Sequence, residues 1–162
     1  MEFEGEFSVA SSPSETWDFL QDPEKIGSVI PNCQDIKVVD DTHYTAEIGV
    51  SVSHISVTFN VNAEIVEAVE EELLRFRLTG NAKEGDSRME SNVTVRLSQG
   101  EDPGITDIYW QNNVDVTGRI MNMGSRIVKS VGMRQTNKTI ENVKEELGEV
   151  EKEEEESGGL LG

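Results

Sequence analysis

Cysteine is nearly absent. Cys33 is the only one in 162 residues, so no internal disulfide can staple the chain. Histidine is almost as scarce, and with His43, His54 and one thiol no zinc or iron site of ordinary spacing can be assembled. Carboxylate-only magnesium or calcium binding stays open chemically, but abundant acids make chance clusters cheap, and no metal site is expected. No apolar run approaches the ~18 residues that a membrane-spanning helix needs. The opening residues, MEFEGEFSVA, alternate acids with apolar side chains and fit neither a signal peptide nor a spanning segment. Cations are outnumbered, 14 Lys and Arg against 32 Asp and Glu, for a net charge of −18. A surface this acidic repels nucleic-acid phosphate, which argues against a DNA- or RNA-binding role. It suits a protein that stays hydrated in high salt, where screening weakens self-repulsion. The expectation is a soluble cytoplasmic protein with at most peripheral contact to the inner face of a membrane.

What is present is mostly alternation. Phe3, Gly5, Phe7 and Val9 interleave with Glu2, Glu4, Glu6 and Ser8, the period-two pattern of a strand with one buried face. Ser12-Pro13-Ser14-Glu15 then reads as a capping box with proline at the first helical position, opening a short helix with Trp17, Phe19 and Leu20. Asp22-Pro23 starts a second short helix that Pro31 stops. From Cys33 to about Val116 the chain reads as a run of short strands at hairpin spacing, hence an antiparallel meander. A helix of about 28 residues ending at Leu147 must lie across the concave face of that sheet. The expected organisation is an α+β domain over residues 1–147, with a curved antiparallel sheet of about seven strands. An acidic, Gly-ended flexible tail over residues 148–162 follows.

Residues 116–140 contain no acid but hold Arg119, Arg126, Lys129, Arg134 and Lys138. Uniform scattering would put roughly five acids there. Read as the first part of the long helix, this basic start precedes an acidic end, which opposes the helix macrodipole. A contact must explain the pattern. Either the cations pair with carboxylates of the sheet, or they form a docking face. That face would meet an acidic partner protein or, less favoured on a chain of net −18, anionic lipid head groups. The residues in question are Arg119, Arg126, Lys129 and Arg134.

The chain resembles the carbon monoxide dehydrogenase CoxG family of the START-like (Bet v 1-like, SRPBCC) superfamily. The residues that carry the likeness begin with Met1-Glu2-Phe3-Glu4-Gly5-Glu6-Phe7 and Trp17-Asp18-Phe19-Leu20-Gln21-Asp22-Pro23-Glu24-Lys25. They continue with Ile30-Pro31-Asn32-Cys33, Asp40-Asp41-Thr42-His43-Tyr44, Gly118-Arg119, Gly124-Ser125-Arg126 and Glu141-Asn142-Val143. The resemblance implies a helix-grip fold and a non-catalytic accessory protein with an internal hydrophobic cavity. It further implies a quinone- or lipid-like ligand, no tightly bound cofactor, and association with a molybdenum hydroxylase complex. Polyketide cyclases share the fold, so a cyclase- or hydratase-type enzyme using the same cavity is the alternative.

On a helix-grip frame, Phe59, Phe76, Trp110, Met123, Ile127 and Val131 are expected between helix and sheet, either as core or as ligand contacts. Asn112 falls on the strand face of Trp110 and Val114. On the helix, Ile120, Gly124, Ile127, Val131, Gln135, Thr139 and Val143 make one face at i, i+3 or i+4 spacing. The family tends to carry larger apolar residues at the Gln135 and Thr139 positions, so this cavity is expected to be more polar. Alternatively Asn112, Gln135 and Thr139 satisfy one another or water in a filled core. No catalytic residue is assigned. Cys33 has no base nearby in sequence and reads as structural.

Overall fold

The computed structural model describes residues 1–52 and 54–150. Seven antiparallel strands form one sheet in the order β1-β7-β6-β5-β4-β3-β2. They are β1 (Glu2–Val9), β2 (Cys33–Asp40), β3 (His43–Val52), β4 (Ile55–Val69), β5 (Leu73–Ala82), β6 (Arg88–Gln99) and β7 (Thr106–Thr117). From β2 to β7 each strand pairs with the next in sequence, and β1 closes on β7 at the far side. Pairing runs straight across the sheet: Ile65 lies opposite Phe76, Phe76 opposite Val93, Val93 opposite Asn112, and Asn112 opposite Phe3. One register therefore puts all the expected inward residues on one concave face. A register shift between Ile65 and Glu67, and two more within β2, bend the strands around that face.

Two short helices follow β1. The capping box forms as the sequence implies: the Ser12 hydroxyl accepts from the Glu15 backbone N–H, and the Ser12 N–H donates to the Glu15 carboxylate. It opens α1 (Pro13–Gln21), and the Asp22 side chain caps α2 (Pro23–Val29).

The C-terminal segment departs from the expectation of one helix of about 28 residues. β7 runs on to Thr117, a 3-10 turn covers Arg119–Met123, and the helix proper, α3, is Ser125–Leu147. Two glycines cause the break. Gly118 has φ +93°, and a Cβ there would lie 2.5 Å from the Asp86 carbonyl oxygen. Gly124 has φ +100°, and no side chain caps the helix it precedes. The 3-10 turn is held to the β5–β6 connection: the Arg119 N–H donates to Asp86 Oδ1 and the Ile120 N–H to the Ser87 hydroxyl, each at 2.9 Å.

Gly148 ends α3 with φ +102°, its N–H returning to the Lys144 carbonyl. The first residues of the expected tail are also placed. The Gly148 carbonyl accepts from the Ala10 N–H at 2.9 Å, and Glu149 bridges Val9. Residues 151–162 of that tail lie outside the described residues.

The interior divides into two apolar clusters. One gathers Val9, Trp17, Phe19, Val29, Leu74, Val95, Leu97, Ile108 and Val143 at the end held by α1 and α2. The other gathers Val52, Phe59, Val61 and Ile120, with Met121, Met123 and Val131 packed against them. Burying each such side chain contributes about 1.5–3 kcal/mol. No helix among the described residues is long and apolar enough to cross a membrane.

Candidate functional site

The helix crosses the sheet. α3 comes closest to β3 on one side and β1 on the other, and its Val131 and Val143 pack onto the two apolar clusters of the strands between. On the β1 side a Cβ at Gly132 would meet the Phe3 ring at 3.1 Å, so that glycine allows the close approach. On the other side three side chains bond to backbone carbonyls: Gln135 Nε2 to Pro31, Asn142 Nδ2 to Val29, and Arg134 Nη2 to Ser51, at 2.9–3.1 Å. The space beneath α3 is a trough floored by β4 to β7. Its floor is not sealed: Phe76, Leu78, Met89, Val93, Trp110, Asn112, Val114 and Val116 point inward and are only half-buried. Close-packed interiors bury such side chains nearly completely, as Leu74 and Val9 are buried here.

The expected cavity residues fall into three groups. Phe59 is buried in the second cluster, and Met123 and Val131 pack against it; Phe76 borders the first cluster. Trp110 and Asn112 stand on the floor. The Trp110 indole lies over Gly5, where a Cβ would come within 2.9 Å of the ring, and its buried Nε1 has no hydrogen-bond partner. Asn112 Oδ1 accepts from the hydroxyl of Ser91, a residue only 2% exposed. Ile127 does not belong to the site. It is 43% exposed, while its neighbour Val128 is 6% exposed. The apolar spacing counted from Ile120 ran through Gly124, where α3 has not begun, and the true phase turns Ile127 outward.

Gln135 and Thr139 do not join Asn112 in a polar network. Gln135 reaches out to Pro31, and the Thr139 hydroxyl donates back to the Gln135 carbonyl. The helix side of the trough is therefore less polar than its composition suggests. Ser91, Gly132 and Asn142 went unnoticed in sequence. Ser91 alone carried a signal, an inward-phased polar residue between Met89 and Val93.

The strand residues of the concave face carry no charge, and Lys144 of α3 lies over the Phe7 ring at its β1 end, 5.9 Å from the centroid. Among its described strand residues the only titratable side chains are Cys33 and Tyr44, both toward the β2 edge and both pushed up by burial. Among the described residues, no group of three or more His, Cys, Asp and Glu is arranged to hold a metal ion. His43 sits on the outer face at the β2–β3 turn, 2.8 Å from Asp40 and 3.2 Å from Glu64. The hydrogen bond to Asp40, chiefly, raises its pKa above the ordinary value. Two surface grooves lie elsewhere: one of about 440 Å³ beside Leu73 and Tyr109, and one of about 710 Å³ where Phe7, Ile108 and Lys144 meet Asp107 and Glu149.

The expected docking cations are all exposed. Arg119 belongs to the 3-10 turn rather than to the helix. Arg126 and Lys129 occupy the start of α3. Pairing with sheet carboxylates does not occur among the described residues. Their ion pairs join His43 to Asp40 and Glu64, Arg75 to Glu67, and Lys83 to Glu47. Arg134 bonds a backbone carbonyl instead.

Solved structures share this architecture at low sequence identity. A conserved protein from Geobacillus kaustophilus matches with a TM-score of 0.81 at 14% identity, over 91% of this chain and 95% of that one. A START superfamily protein from Mycobacterium smegmatis matches at 0.69 and 10% identity, over 90% and 96% of the two chains. The ZhuI aromatase/cyclase from Streptomyces sp. R1128 matches at 0.66 and 13% identity, over 91% and 93%. These likenesses show the START-like helix-grip fold. A comparison with functionally curated proteins found no match. The CoxG family, named for the G-type subunit of carbon monoxide dehydrogenase, matches residues 5–148, nearly the whole described chain. The protein belongs to the carbon monoxide dehydrogenase CoxG family.

Proposed function

We propose that this protein is a non-catalytic carrier that holds an apolar or amphipathic small molecule in the trough between α3 and the sheet. It would serve a molybdenum hydroxylase of the carbon monoxide dehydrogenase type. The observation that carries this reading is that inward apolar side chains from β5 to β7, on the face that α3 crosses, stay only half-buried. Apolar surface left open beneath a helix gains about 25 cal/mol per Å² when a ligand covers it. An uncharged floor suits a neutral ligand of the quinone or lipid kind, because a charge would enter without a counter-charge. Trp110, Asn112, Phe76 and Val93 would contact it from the floor, with Phe59, Met123 and Val131 at one end.

The uncharged floor also supports a non-catalytic role. Cyclase or hydratase chemistry needs a positioned acid or base, and the floor of the trough offers an amide and a hydroxyl already bonded to each other. The test is native mass spectrometry of the gently purified protein, followed by solvent extraction. A neutral apolar molecule released in near-stoichiometric amount is expected. An empty protein that also fails to take up ubiquinone or phospholipid from detergent would overturn the reading.

A further inference from the structure

We infer that the outward face of α3 is a docking surface for an acidic protein surface, with Ile127 and Met133 exposed among its cations. This rests on the carrier reading only for its purpose, which is delivery to a protein. Arg126, Lys129, Arg134 and Lys138 lie within about half the circumference of the helix at ~100° per residue, and Ile127 and Met133 fall on the same arc. All are exposed, the two apolar side chains by 43% and 42%. Met and Arg, both exposed here, are residue types enriched at protein interfaces.

Three observations deny Arg126, Lys129 and Lys138 an internal purpose, while Arg134 also bonds the Ser51 carbonyl. None is paired with a described carboxylate, although the chain has 32 acids. The first two stand in the opening turns of α3, where the macrodipole disfavours positive charge. No acid or side-chain cap offsets them there. The arrangement weakens the isolated helix, and an external anion restores what is lost. Arg119 is outside this face, since the glycine at 124 separates its turn from α3.

The occupant is a protein rather than a bilayer. Two exposed apolar residues bury too little to anchor the chain in a bilayer. Over a contact within one Debye length, ~8–10 Å, the local cations dominate and the distant acids are screened.

The full chain is tested for binding to an immobilised synthetic Glu-rich peptide with spaced leucines, and to phosphatidylglycerol vesicles. Arg126→Glu with Lys129→Glu should weaken peptide binding at least ~10-fold. Lys25→Glu with Lys37→Glu makes the same change in net charge on α2 and β2, and should weaken it less than ~2-fold. Replacing the peptide leucines by serine should cost several-fold on the wild type and little on Ile127→Ser/Met133→Ser. Should the charge reversals not fold, Arg126→Gln with Lys129→Gln makes the comparison. Equal losses from both charge reversals, no wild-type binding to the peptide, or tighter binding to the vesicles would each overturn the inference. Ligand extraction from the same variants separates the two readings: ligand kept with peptide binding lost leaves the carrier standing, and the reverse leaves the dock.

Discussion

Replacing Asn112 by leucine tests how the polar spot on the trough floor is built. Ser91 is 2% exposed, and its hydroxyl donates to Asn112 Oδ1. Without that acceptor the hydroxyl is stranded where water cannot follow, at a cost of about 1–3 kcal/mol. Ser91→Ala removes the same bond from the other side. The amide it leaves belongs to a half-buried residue that water can reach, so that change should cost only about 0.5–1.5 kcal/mol. With both replaced, no polar group is stranded. The double variant should therefore be more stable than the sum of the singles by about 1–2 kcal/mol. The assay is urea unfolding followed by the fluorescence of Trp17 and Trp110. Strict additivity within ~0.3 kcal/mol, or Ser91→Ala costing more than Asn112→Leu, would refute the reasoning.

Three other outcomes are expected. Gly118→Ala should lower stability by about 2–4 kcal/mol, since strained φ adds to a clash with backbone 2.5–2.8 Å away, whereas Gly124→Ala, with open space around it, should cost about 1–2 kcal/mol; thermal unfolding compares them. His43 should titrate above its ordinary value by NMR, and Asp40→Asn should bring it down. Because its folded pKa is raised, its contribution to stability is full below the unfolded value and is lost as pH rises through the folded value. Cys33, its thiol raised by burial, should be alkylated by iodoacetamide more slowly at neutral pH than an exposed cysteine, and equal rates would contradict the assignment.

Strands were readable because each alternates over a half-buried sheet, and three of the five turns from β2 to β7 carry Gly or Asp. Ser12 and Asp22 announced their helices because capping is local chemistry. The start of α3 was not readable by periodicity, because apolar residues continue through Val116, Ile120, Met121 and Met123 across a strand and a 3-10 turn before the helix begins. Gly118 and Gly124 were the punctuation, and at Gly118 the positive φ goes with Asp86 and Ser87 packed beside it. That phase error exchanged Ile127 for Val128. The bonds of Gln135 to Pro31, Asn142 to Val29 and Arg134 to Ser51 join residues more than 80 positions apart, and no local pattern encodes them. The floor residues Phe59, Phe76, Trp110 and Asn112 were placed correctly on the concave face because strand phase alone fixes them. How the helix crosses them depended on those distant bonds.

The pairing of β1 with β7, from Glu2 opposite Asn113 to Val9 opposite Thr106, sets an order of events during synthesis. β2 through β6 find their neighbours in turn as they leave the ribosome, whereas β1 emerges before them all and waits for the last strand. Until then Phe3, Phe7 and Val9 have no sheet to join. Even after β7 arrives, Ala10 lacks the Gly148 carbonyl and Val9 lacks Glu149. Synthesis of residues 148 and 149 is thus the step that commits the chain to its fold. Copies cut short before residue 148 should surrender to aggregation or proteases instead of persisting as shortened carriers.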